Sequence, residues 1–591
     1  MDKEQLQVTL TIDGAEVTVP DGLTILEASK LVGIDIPTLC YLKNINEVGA
    51  CRMCVVEVEG ARALQASCVY PVCDGMVINT KSKKVRDARK STLELILSNH
   101  NRECTTCVRS EDCELQKLSK DLGINDIPYD GKKEMLAIDQ LSPSIVRDPN
   151  KCILCGRCVN TCRNVQGIGV LDFINRGYDT KVAPAFEVSM GDASCIYCGQ
   201  CIEACPVAAL REKDDIDRVW EALDDPEMFV VVQTAPAVRA AIGEEFGYPI
   251  GTRATAKMIG ALKKIGFDKV FDTNFAADLT IMEEGTELIS RINNKGTLPM
   301  ITSCSPGWIR YCELNYPDLL DNLSTCKSPH QMMGAILKTY YAEKNQINPK
   351  KMFVVSIMPC TSKKSEIVRP EMAKDVDAVL TTRELARMIK QARIDYRALK
   401  DEEQFDQDLV GEYTGAGVIF GATGGVMEAA LRTVADILGK TDLENVEYAP
   451  VRGIEGVKEA EVSIGDLKVK VAVAHGTKNA KVVMDMIREG KADYHFVEIM
   501  GCSGGCVCGG GQPHVPAKTL MDLDIRTERA KALYEEDLLM PQRKSHKNSQ
   551  ITKLYEDFLG EPNGQRSHRL LHTHYTPKEP YKIKKTKAAK K

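Results

Sequence analysis

The sequence predicts a multidomain protein in which small α+β modules are followed by one large α/β domain. The chain has 591 residues, enough for roughly three to five domains of ordinary size. Its 23 cysteines occur in clusters, most of them in the first third of the chain. From about residue 227, strand-like runs such as MFVVVQTA and KMFVVSIMPC alternate with helical runs, which is typical of an α/β fold.

The composition excludes several classes of function. Lys and Arg total 77 and Asp and Glu total 83, so the net charge of −6 provides no general attraction to nucleic acid or membrane. Aromatic residues make up 5%, which argues against stacking platforms for single-stranded nucleic acid. The run MDKEQLQVTL has no apolar signal segment, and no apolar stretch reaches the ~18 residues needed to span a bilayer. We therefore predict a cytoplasmic protein whose reduced cysteines bind metal, with no nucleic-acid or membrane partner.

Local patterns divide the chain into six segments. Alternating residues predict a hairpin turned at Asp13-Gly14, followed by a helix at Ile25–Leu31. The tail from Pro577 contains seven lysines and one glutamate, which favours a solvated, disordered end. The predicted segments are 1–80 (small α+β), 81–125 (His/Cys), 140–215 (cysteine repeat), 225–520 (large α/β), 521–575 (helical and polar) and 576–591 (basic tail).

Two cysteine runs in the third segment carry the strongest signal. Their spacing, Cys-x2-Cys-x2-Cys-x3-Cys, is that of bacterial ferredoxins, in which the fourth cysteine of each run binds the other cluster. Two structural zinc sites are the alternative, which the repeated spacing disfavours. We assign one [4Fe–4S] cluster to Cys152, Cys155, Cys158 and Cys205, and a second to Cys195, Cys198, Cys201 and Cys162.

Two further metal sites are predicted upstream. The first set lies in a predicted β-grasp ferredoxin-like module. Its first two cysteines are separated by more residues than in plant-type ferredoxins, so the spacing is a variant of the [2Fe–2S] pattern, with zinc as the alternative. Cys73 lies nearby but off the pattern. The second set has one histidine and three cysteines, which alone suits zinc, but its position between two iron–sulfur modules favours a [4Fe–4S] cluster. The sets are Cys40, Cys51, Cys54 and Cys68, then His100, Cys104, Cys107 and Cys113.

One [2Fe–2S] and three [4Fe–4S] clusters in the first 210 residues predict a series that carries electrons to a reactive centre. Three later motifs indicate what that centre is: TSCSPGW at 302–308, MPCTSKKSE at 358–366 and EIMGCSGGCVCGGGQP at 498–513. With FADLTIMEEGTE, LSTCKSP and FGATGGVMEAALRT, they make the chain resemble the catalytic domain of the [FeFe]-hydrogenases. The order of the N-terminal clusters resembles the many-cluster hydrogenases, although that half is shared with a subunit of respiratory NADH dehydrogenases.

The resemblance implies an H-cluster, a [4Fe–4S] cubane bridged through a cysteine to a two-iron unit with CO, cyanide and azadithiolate ligands. Cys360, Cys502 and Cys506 match three of its thiolate ligands, with Cys506 as the bridge. The gap between Cys502 and Cys506 predicts that both lie on one side of a helical turn. The family commonly has two adjacent cysteines, a ligand and a proton-relay thiol, where this chain has Cys304-Ser305. We assign Cys304 as the ligand and Ser305, or water, to the last proton step; the reverse register is the alternative.

Other residues of the site follow from the resemblance. Glu284, Glu287 and Arg291 have helical spacing and share one face, and with Ser324 they match the family's proton path. Without the resemblance, a solvated acidic face is the simpler interpretation. Lys363 matches the lysine that hydrogen-bonds a cyanide ligand. The remaining pocket residues are two predicted apolar walls, Met358 and Met500, and two departures from common family residues, Ala237 and His330.

The sequence thus predicts a reversible hydrogenase that interconverts dihydrogen with protons and electrons. No G-x-G-x-x-G motif follows a predicted strand, so nicotinamide chemistry is assigned to partners. The Cys304-Ser305 variant resembles catalytic subunits of NAD(P)-linked, electron-bifurcating hydrogenases, which implies a flavin subunit, a small [2Fe–2S] subunit and ferredoxin. A stand-alone ferredoxin-dependent enzyme is the alternative; a sensory hydrogenase-like protein and an iron–sulfur assembly protein are less favoured. No ligand role is assigned to Cys312, Cys326 or Cys508.

Overall fold

The computed structural model describes residues 6–110, 112–129, 135–372, 374–439, 447–453, 455–464 and 467–581. Most of the predicted basic tail, 576–591, lies outside these ranges. Within the described residues, no helix combines the length and apolar character that crossing a bilayer requires.

The first module is a five-stranded sheet with one helix packed on it. The strand order is β2-β1-β5-β3-β4, and only the β1–β5 pair is parallel. The predicted hairpin turned at Asp13-Gly14 and the predicted helix are both confirmed. The helix begins where it does because the Thr24 side chain accepts from the Glu27 amide while the Glu27 carboxylate accepts from the Thr24 amide. The elements are β1 Gln7–Ile12, β2 Ala15–Pro20, α1 Ile25–Leu31, β3 Val55–Val58, β4 Gln65–Ala66 and β5 Val77–Asn79.

The next two modules are mostly loops held by short elements. The third module repeats one backbone shape: a non-glycine residue with positive φ, then a left-handed glycine, precedes each of two short helices, at Leu154-x-Gly156 and Tyr197-x-Gly199. This repeat in conformation matches the repeat in cysteine spacing. The elements are α2 Lys83–Asn99, α3 Glu114–Asp121, β6 Ile145–Arg147, α4 Arg157–Asn160, β7 Asp172–Ile174, β8 Lys181–Ala183, α5 Gln200–Glu203 and β9 Leu210–Glu212.

The large domain contains two four-stranded sheets covered by helices, as the α/β pattern predicts. One sheet is entirely parallel, and in the other only the β15–β16 pair is antiparallel. The sheet orders are β11-β10-β13-β14 and β12-β17-β16-β15. The strands are β10 Phe229–Thr234, β11 Lys269–Asp272, β12 Met300–Ile301, β13 Met352–Met358, β14 Ala378–Thr381, β15 Val457–Ile464, β16 Leu467–His475 and β17 Phe496–Met500.

The helices of this domain bury an apolar face against the sheets. In α8, the longest of them, the buried residues lie between Asn274 and Leu288 and include several carboxylates. The helices are α6 Ile216–Asp224, α7 Thr255–Ile265, α8 Asn274–Asn293, α9 Pro306–Asn315, α10 Pro329–Ile336, α11 Ala342–Lys344, α12 Ser362–Glu366, α13 Thr382–Gln391, α14 Gly415–Val418, α15 Gly425–Gly439 and α16 Thr477–Arg488.

The C-terminal segment is helical, as predicted, and it is fastened to the large domain by buried ion pairs. Arg239, fully buried, bonds both Asp272 and Glu536 at 2.6 Å. Arg432 likewise joins the domain to Asp537 at 2.8 Å. Such pairs are sensitive to the loss of one member, because the other is left charged in a dry interior. The helices are α17 Ile525–Leu539, α18 Ser549–Leu554 and α19 Gln565–Leu571.

The cysteine loops of successive modules contact each other directly. Asn46 Nδ2 donates to the carbonyl oxygens of Cys40 at 2.7 Å and Cys155 at 3.1 Å. Arg157 makes a bidentate pair with Glu114 and also donates to the Cys40 carbonyl. One buried arginine therefore joins all three N-terminal modules.

The third module meets the large domain through glycines. A Cβ at Gly199 would lie 3.0 Å from the Cα of Gly510, so only glycine permits this approach. Thr361 Oγ1 and Ser362 Oγ donate to the carbonyls of Tyr197 and Ile196 at 2.7 and 2.8 Å. The loop around the second ferredoxin cysteine run is thus packed on the loops that follow the sheets.

We expect Gly199→Ala to destabilise this interface. The residue has φ +73°, and its new Cβ would clash with Gly510, so strain and overpacking together cost about 3 kcal/mol. Gly169→Ala is the matched control, because Gly169 has φ +67° with open space around its Cβ and should cost only about 1 kcal/mol. Anaerobic thermal unfolding followed by circular dichroism measures both. Equal melting temperatures for the two variants would contradict the packing argument.

Candidate active site

The four cysteines assigned to the [2Fe–2S] site are brought together around the first sheet. Cys54 Sγ lies 3.3 Å from Cys68 Sγ, and the Cys40 amide donates to Cys51 Sγ at 3.4 Å. Hydrogen bonding from the partner thiol lowers the pKa of Cys40 and of Cys54 to about 7. The same hydrogen bonds raise the pKa of the partner thiols, Cys51 and Cys68, so one thiol of each pair ionises more easily than the other. Four thiols this close together suit an iron–sulfur site. Cys73 is exposed and takes no part in the pairs.

The His/Cys set lies where two helices end and begin. His100 is the C-terminal cap of α2 and Cys113 the N-terminal cap of α3, with Cys104 and Cys107 in the turn between them. Cys107 is close enough to Cys113 to raise the pKa of its thiol, although burial raises it more. The α3 end of this loop reaches the third module, since the Glu114 amide donates to the Pro206 carbonyl at 3.3 Å.

The eight ferredoxin cysteines line two separate cavities. Each cavity takes three cysteines from one run and the fourth cysteine of the other run, the grouping that the spacing predicts. In each run a backbone amide donates to the sulfur of the first cysteine. The Leu154 amide donates to Cys152 Sγ and the Tyr197 amide to Cys195 Sγ, both at 3.4 Å. Amide bonds to sulfur favour a reduced, negatively charged cluster. The cavities hold Cys152, Cys155, Cys158 and Cys205 in one case, and Cys162, Cys195, Cys198 and Cys201 in the other.

The cysteines assigned to the H-cluster converge at the carboxyl ends of strands from both sheets. Cys304 follows β12, Cys360 follows β13 and Cys502 follows β17. Loops after parallel strands meet at one edge of a sheet, where ligands bind in α/β folds. Burial raises the pKa of Cys502 well above its ordinary value, and nearby Cys360 and Cys198 raise it further. Since Cys198 belongs to the second ferredoxin cavity, the two sites adjoin.

These thiols are buried where a bare thiolate would be unfavourable. Burial and, after it, the nearby Cys360 raise the pKa of Cys506 to about 12. Only a bound cation would keep such cysteines ionised at neutral pH. Thiolates are soft ligands suited to iron–sulfur clusters, so the residues fit the cubane that the resemblance implies.

The expected helical turn between Cys502 and Cys506 is wrong. The segment turns at Gly504 and Gly505, with φ of +84° and +93°, and helix begins only at Cys506. A Cβ at Gly505 would lie 2.7 Å from the Thr423 amide nitrogen. Two glycines with positive φ fold the loop back against the FGATGG turn, which an α-helical turn could not do.

The predicted apolar walls lie in the core beside these cysteines. Met358 and Met500 end β13 and β17, and both are almost fully buried. Cys304 and Cys506 pack against the apolar cluster that contains Met500. Ala237, in the loop after β10, is buried in a small cluster that Cys506 also touches.

Lys363 and His330 are joined through a buried glutamate that the sequence analysis did not single out. Lys363 Nζ donates to the Cys304 carbonyl at 3.0 Å and to Glu366 at 2.9 Å, while His330 Nε2 lies 2.5 Å from Glu366. Burial and, after it, the positive charge of Lys363 lower the pKa of His330 to about 4, so the imidazole is neutral. Although burial opposes it, Lys363 and His330 lower the pKa of Glu366 to about 2. The spacing of Glu366, three residues after Lys363 on a helix, was an available signal.

The residues of the predicted proton path lie side by side. Arg291 Nη2 donates to Glu287 at 2.6 Å, and Ser324 Oγ donates to the other Glu287 oxygen at 2.9 Å. Burial raises the pKa of the Glu284 carboxyl, and nearby Ser324 opposes that rise. Arg291 is partly exposed, Glu287 nearly buried and Glu284 buried. Burial raises the pKa of the Cys304 thiol, and Glu284 is the next largest cause. The line therefore runs from the surface to Cys304.

Cys304 and Ser305 point to different neighbours. Cys304 is close enough to Glu284, Cys506 and Lys363 to be affected by their charges. Ser305 Oγ accepts from the Gly501 amide at 3.2 Å, just before Cys502. The two adjacent residues thus face the proton path and the glycine-rich loop respectively.

Comparison with known proteins identifies the class. The fold and the site together define an iron–sulfur oxidoreductase of the hydrogenase class. Five family descriptions match successive parts of the chain. They are 2Fe-2S iron-sulfur cluster binding domain (5–83), NADH-ubiquinone oxidoreductase-G iron-sulfur binding region (89–128), 4Fe-4S dicluster domain (144–206), iron only hydrogenase large subunit, C-terminal domain (228–510), and iron hydrogenase small subunit (523–578).

Individual relatives match over nearly the whole chain. The NADP-reducing hydrogenase subunit HndD of Solidesulfovibrio fructosivorans is 49% identical, covering 96% of this chain and 98% of that protein. Iron hydrogenase 1 of Clostridium pasteurianum is 47% identical, covering 96% and 99%. The solved apo [FeFe]-hydrogenase HydA1 of Chlamydomonas reinhardtii aligns with TM-score 0.55 and 40% identity, covering 62% of this chain and 100% of that one.

The chain belongs to the [FeFe]-hydrogenase family and is an oxidoreductase with iron–sulfur cluster modules and an H-cluster domain. The predicted fold class is confirmed, with small ferredoxin-like modules before the large α/β domain. The match of 523–578 to a hydrogenase small subunit was missed, because its helical, polar pattern has no cysteine to reveal it.

Glu284 is expected to hold a proton at neutral pH, because burial raises the pKa of its carboxyl to about 8. The group is a neutral acid below that pH and a carboxylate above it. Infrared difference spectra between H2O and D2O should contain a carboxylic acid band that fades as the pH rises through about 8. Glu284→Gln should abolish the band, and Asp278→Asn, which removes another buried carboxyl of α8, should retain it. A band unchanged in Glu284→Gln would assign the proton elsewhere.

Proposed function

We propose that this protein is the reversible, H-cluster-containing catalytic subunit of an NADP-linked, electron-bifurcating hydrogenase. The observation that supports the proposal is that three features lie close together at one edge of the sheets. The four motif cysteines of the large domain lie beside the second ferredoxin cavity on one side and beside the Glu284 line on the other. Electrons and protons thus have separate routes to the same place.

In this proposal Cys304, Cys360, Cys502 and Cys506 would hold the H-cluster, and Cys506 would be the ligand shared between its cubane and a two-iron unit with CO, cyanide and azadithiolate. When bound, this group supplies the redox-active iron at which the H–H bond is made or broken. The protein holds it in a dry pocket whose walls include Met358 and Met500. The Lys363 ammonium provides a positive charge for a cyanide ligand, and the Glu366 carboxylate fixes its position.

Protons are proposed to pass along Arg291, Glu287, Ser324 and Glu284. A general acid works best when its pKa lies near the working pH, and the pKa of Glu284, raised to about 8, meets this condition. The Ser324 hydroxyl can accept a proton from one glutamate while donating its own to the other. Arg291 holds the outer glutamate in place through its 2.6 Å ion pair.

Electrons are proposed to follow four accessory clusters, one [2Fe–2S] and three [4Fe–4S]. The contacts of Asn46 and Arg157 link the first three modules, and the contacts of Thr361 and Ser362 link the third to the large domain. Rigid, buried contacts keep the clusters at fixed separations. The first module contacts the third directly through Asn46 and the second contacts it through Glu114, so the third module is where both meet before the large domain.

The partners are proposed to be a flavin- and NADP-binding subunit, a small [2Fe–2S] subunit and ferredoxin, in the cytoplasm. This proposal is supported by the similarity to HndD, which is named a subunit of an NADP-reducing hydrogenase. Iron hydrogenase 1 is almost as similar, at 47% identity, and the stand-alone ferredoxin-dependent enzyme is the second candidate.

An infrared spectrum of the chain, matured anaerobically with the two-iron cofactor, tests the central proposal. We expect intrinsic CO and cyanide stretching bands, because the four cysteines would hold the H-cluster. Cys304→Ala should abolish those bands and the electron paramagnetic resonance signal of the cubane. Cys312→Ala is the control, since Cys312 is a buried cysteine to which no ligand role is assigned.

The two registers of Cys304-Ser305 give different results in that experiment. If Cys304→Ala keeps the cubane and loses only turnover, while Ser305→Ala loses the cubane, Cys304 is the relay and the serine oxygen the ligand. Absence of CO and cyanide bands in the unmodified chain, with the accessory clusters intact, would contradict the hydrogenase centre itself.

The choice of electron partner is tested by adding subunits. The matured chain alone should evolve hydrogen from reduced ferredoxin and should leave NADP+ unreduced under hydrogen. Coexpression with a flavin subunit and a small [2Fe–2S] subunit should yield a stable complex that reduces NADP+, measured by absorbance. Full ferredoxin-linked turnover without any association with those subunits would favour the stand-alone enzyme.

A further inference from the structure

A set of potential metal ligands lies beside the outer part of the proton line. It consists of Glu287, Cys326 and His572, hereafter the Glu–Cys–His site. One carboxylate oxygen, the sulfur and one ring nitrogen of these residues all lie within 4.8 Å of one another. Cys326 and His572 are buried, and Glu287 is nearly so.

The C-terminal segment builds this site by pairing with the loop before α10. The backbone around the two residues forms an antiparallel bridge between Cys326 and His572. The Lys327 amide donates to the Leu571 carbonyl and the Thr573 amide to the Thr325 carbonyl, both at 2.7 Å. Glu287 approaches from α8. Three separate parts of the chain therefore converge, and their positions are fixed by backbone hydrogen bonds.

The imidazole is oriented on both sides. His572 Nδ1 lies 2.7 Å from Thr325 Oγ1, and His572 Nε2 lies 3.0 Å from Glu283 Oε2. Glu283 is itself held by the Tyr555 hydroxyl and the Asn563 amide, at 2.5 and 2.7 Å. Whichever ring nitrogen binds a metal, the other keeps an orienting partner, an arrangement typical of metal-binding histidines.

The sulfur is positioned for such a role. Cys326 Sγ lies 3.9 Å from the Glu287 oxygen, a separation that small side-chain rotations bring to that of two ligands of one tetrahedral ion. The cysteine is fully buried, and burial raises the pKa of its thiol well above the ordinary value. No iron–sulfur set in the proposed function uses it.

We propose that the Glu–Cys–His site binds Zn²⁺ and that the bound ion inhibits the enzyme by occupying the proton line. One thiolate, one imidazole and one carboxylate are a zinc donor set, with water as the fourth ligand. On binding, the Cys326 S–H bond breaks, an S–Zn bond forms and the proton passes to solvent. The charges balance, because a thiolate and a carboxylate match the dication.

Inhibition follows from the other contacts of Glu287. Its carboxylate accepts from Ser324 Oγ at 2.9 Å and from Arg291 at 2.6 Å. A carboxylate bound to zinc is a poorer proton acceptor, because the metal charge lowers its basicity. The link between Ser324 and the surface is then interrupted. This part of the inference rests on the proposed function, whereas zinc binding does not.

The experiment titrates the anaerobic holoenzyme with ZnCl2 and measures binding, ligand type and activity separately. Equilibrium dialysis gives the number of zinc ions per chain, and zinc K-edge X-ray absorption identifies sulfur at about 2.3 Å. We expect one site with a single sulfur ligand, reversed by EDTA. Cys326→Ala and His572→Gln should weaken it by about 100-fold or more, whereas Cys312→Ala, an equally buried cysteine elsewhere, should not.

Inhibition is tested by measuring the rate of hydrogen evolution with zinc relative to the same variant's rate without zinc. The inhibition by zinc should be weaker in Cys326→Ala and His572→Gln and should persist in Cys312→Ala. Equal zinc stoichiometry and sulfur coordination in all variants would overturn the site. Loss of binding in the two site variants without any change in zinc inhibition would overturn the link to the proton line. Binding measured in a chain without hydrogenase activity would support the site while the proposed function fails.

Discussion

The structure depends on one constraint, which is that many thiolates must be held inside dry protein. A buried thiolate without a cation is unfavourable, as the raised pKa values of the motif cysteines indicate. The protein meets this constraint with loops that bring cysteines from several segments to one point. Glycines in the left-handed conformation, such as Gly156 and Gly199, let these loops turn sharply so that their cysteines face one point. Backbone amides of the same loops donate to the cysteine sulfurs.

The same constraint explains why the modules are joined so closely. Cluster loops expose carbonyl groups that must be satisfied once they are buried between modules. Asn46, Arg157 and Arg310 donate to carbonyls of cluster cysteines, so each interface completes the hydrogen bonding of the loop next to it. Electron transfer needs short, fixed separations, and these interfaces supply them as a consequence of satisfying the backbone.

The C-terminal segment has a larger role than its polar helices suggest. It covers α8 and supplies Glu536 and Asp537 as partners for buried arginines. It also places His572 beside Glu283 and close to Glu287. A single helix therefore carries the proposed proton line on one face and a network tied to the C-terminal segment on another. Substitutions in the C-terminal segment can therefore alter the proposed proton line on α8 without contacting a cluster.

The sequence by itself determined the order of modules, the alternation of strands and helices and the grouping of cysteines, because ligand spacing and hydrophobic periodicity are local properties. The swapped fourth cysteines, Cys162 and Cys205, could be assigned from spacing alone. Only the tertiary structure decided the glycine turn at Gly504 and Gly505, the Lys363–Glu366–His330 network and the approach of His572 to Cys326. These features join residues far apart in the chain, and their geometry depends on packing and burial, which no local pattern encodes.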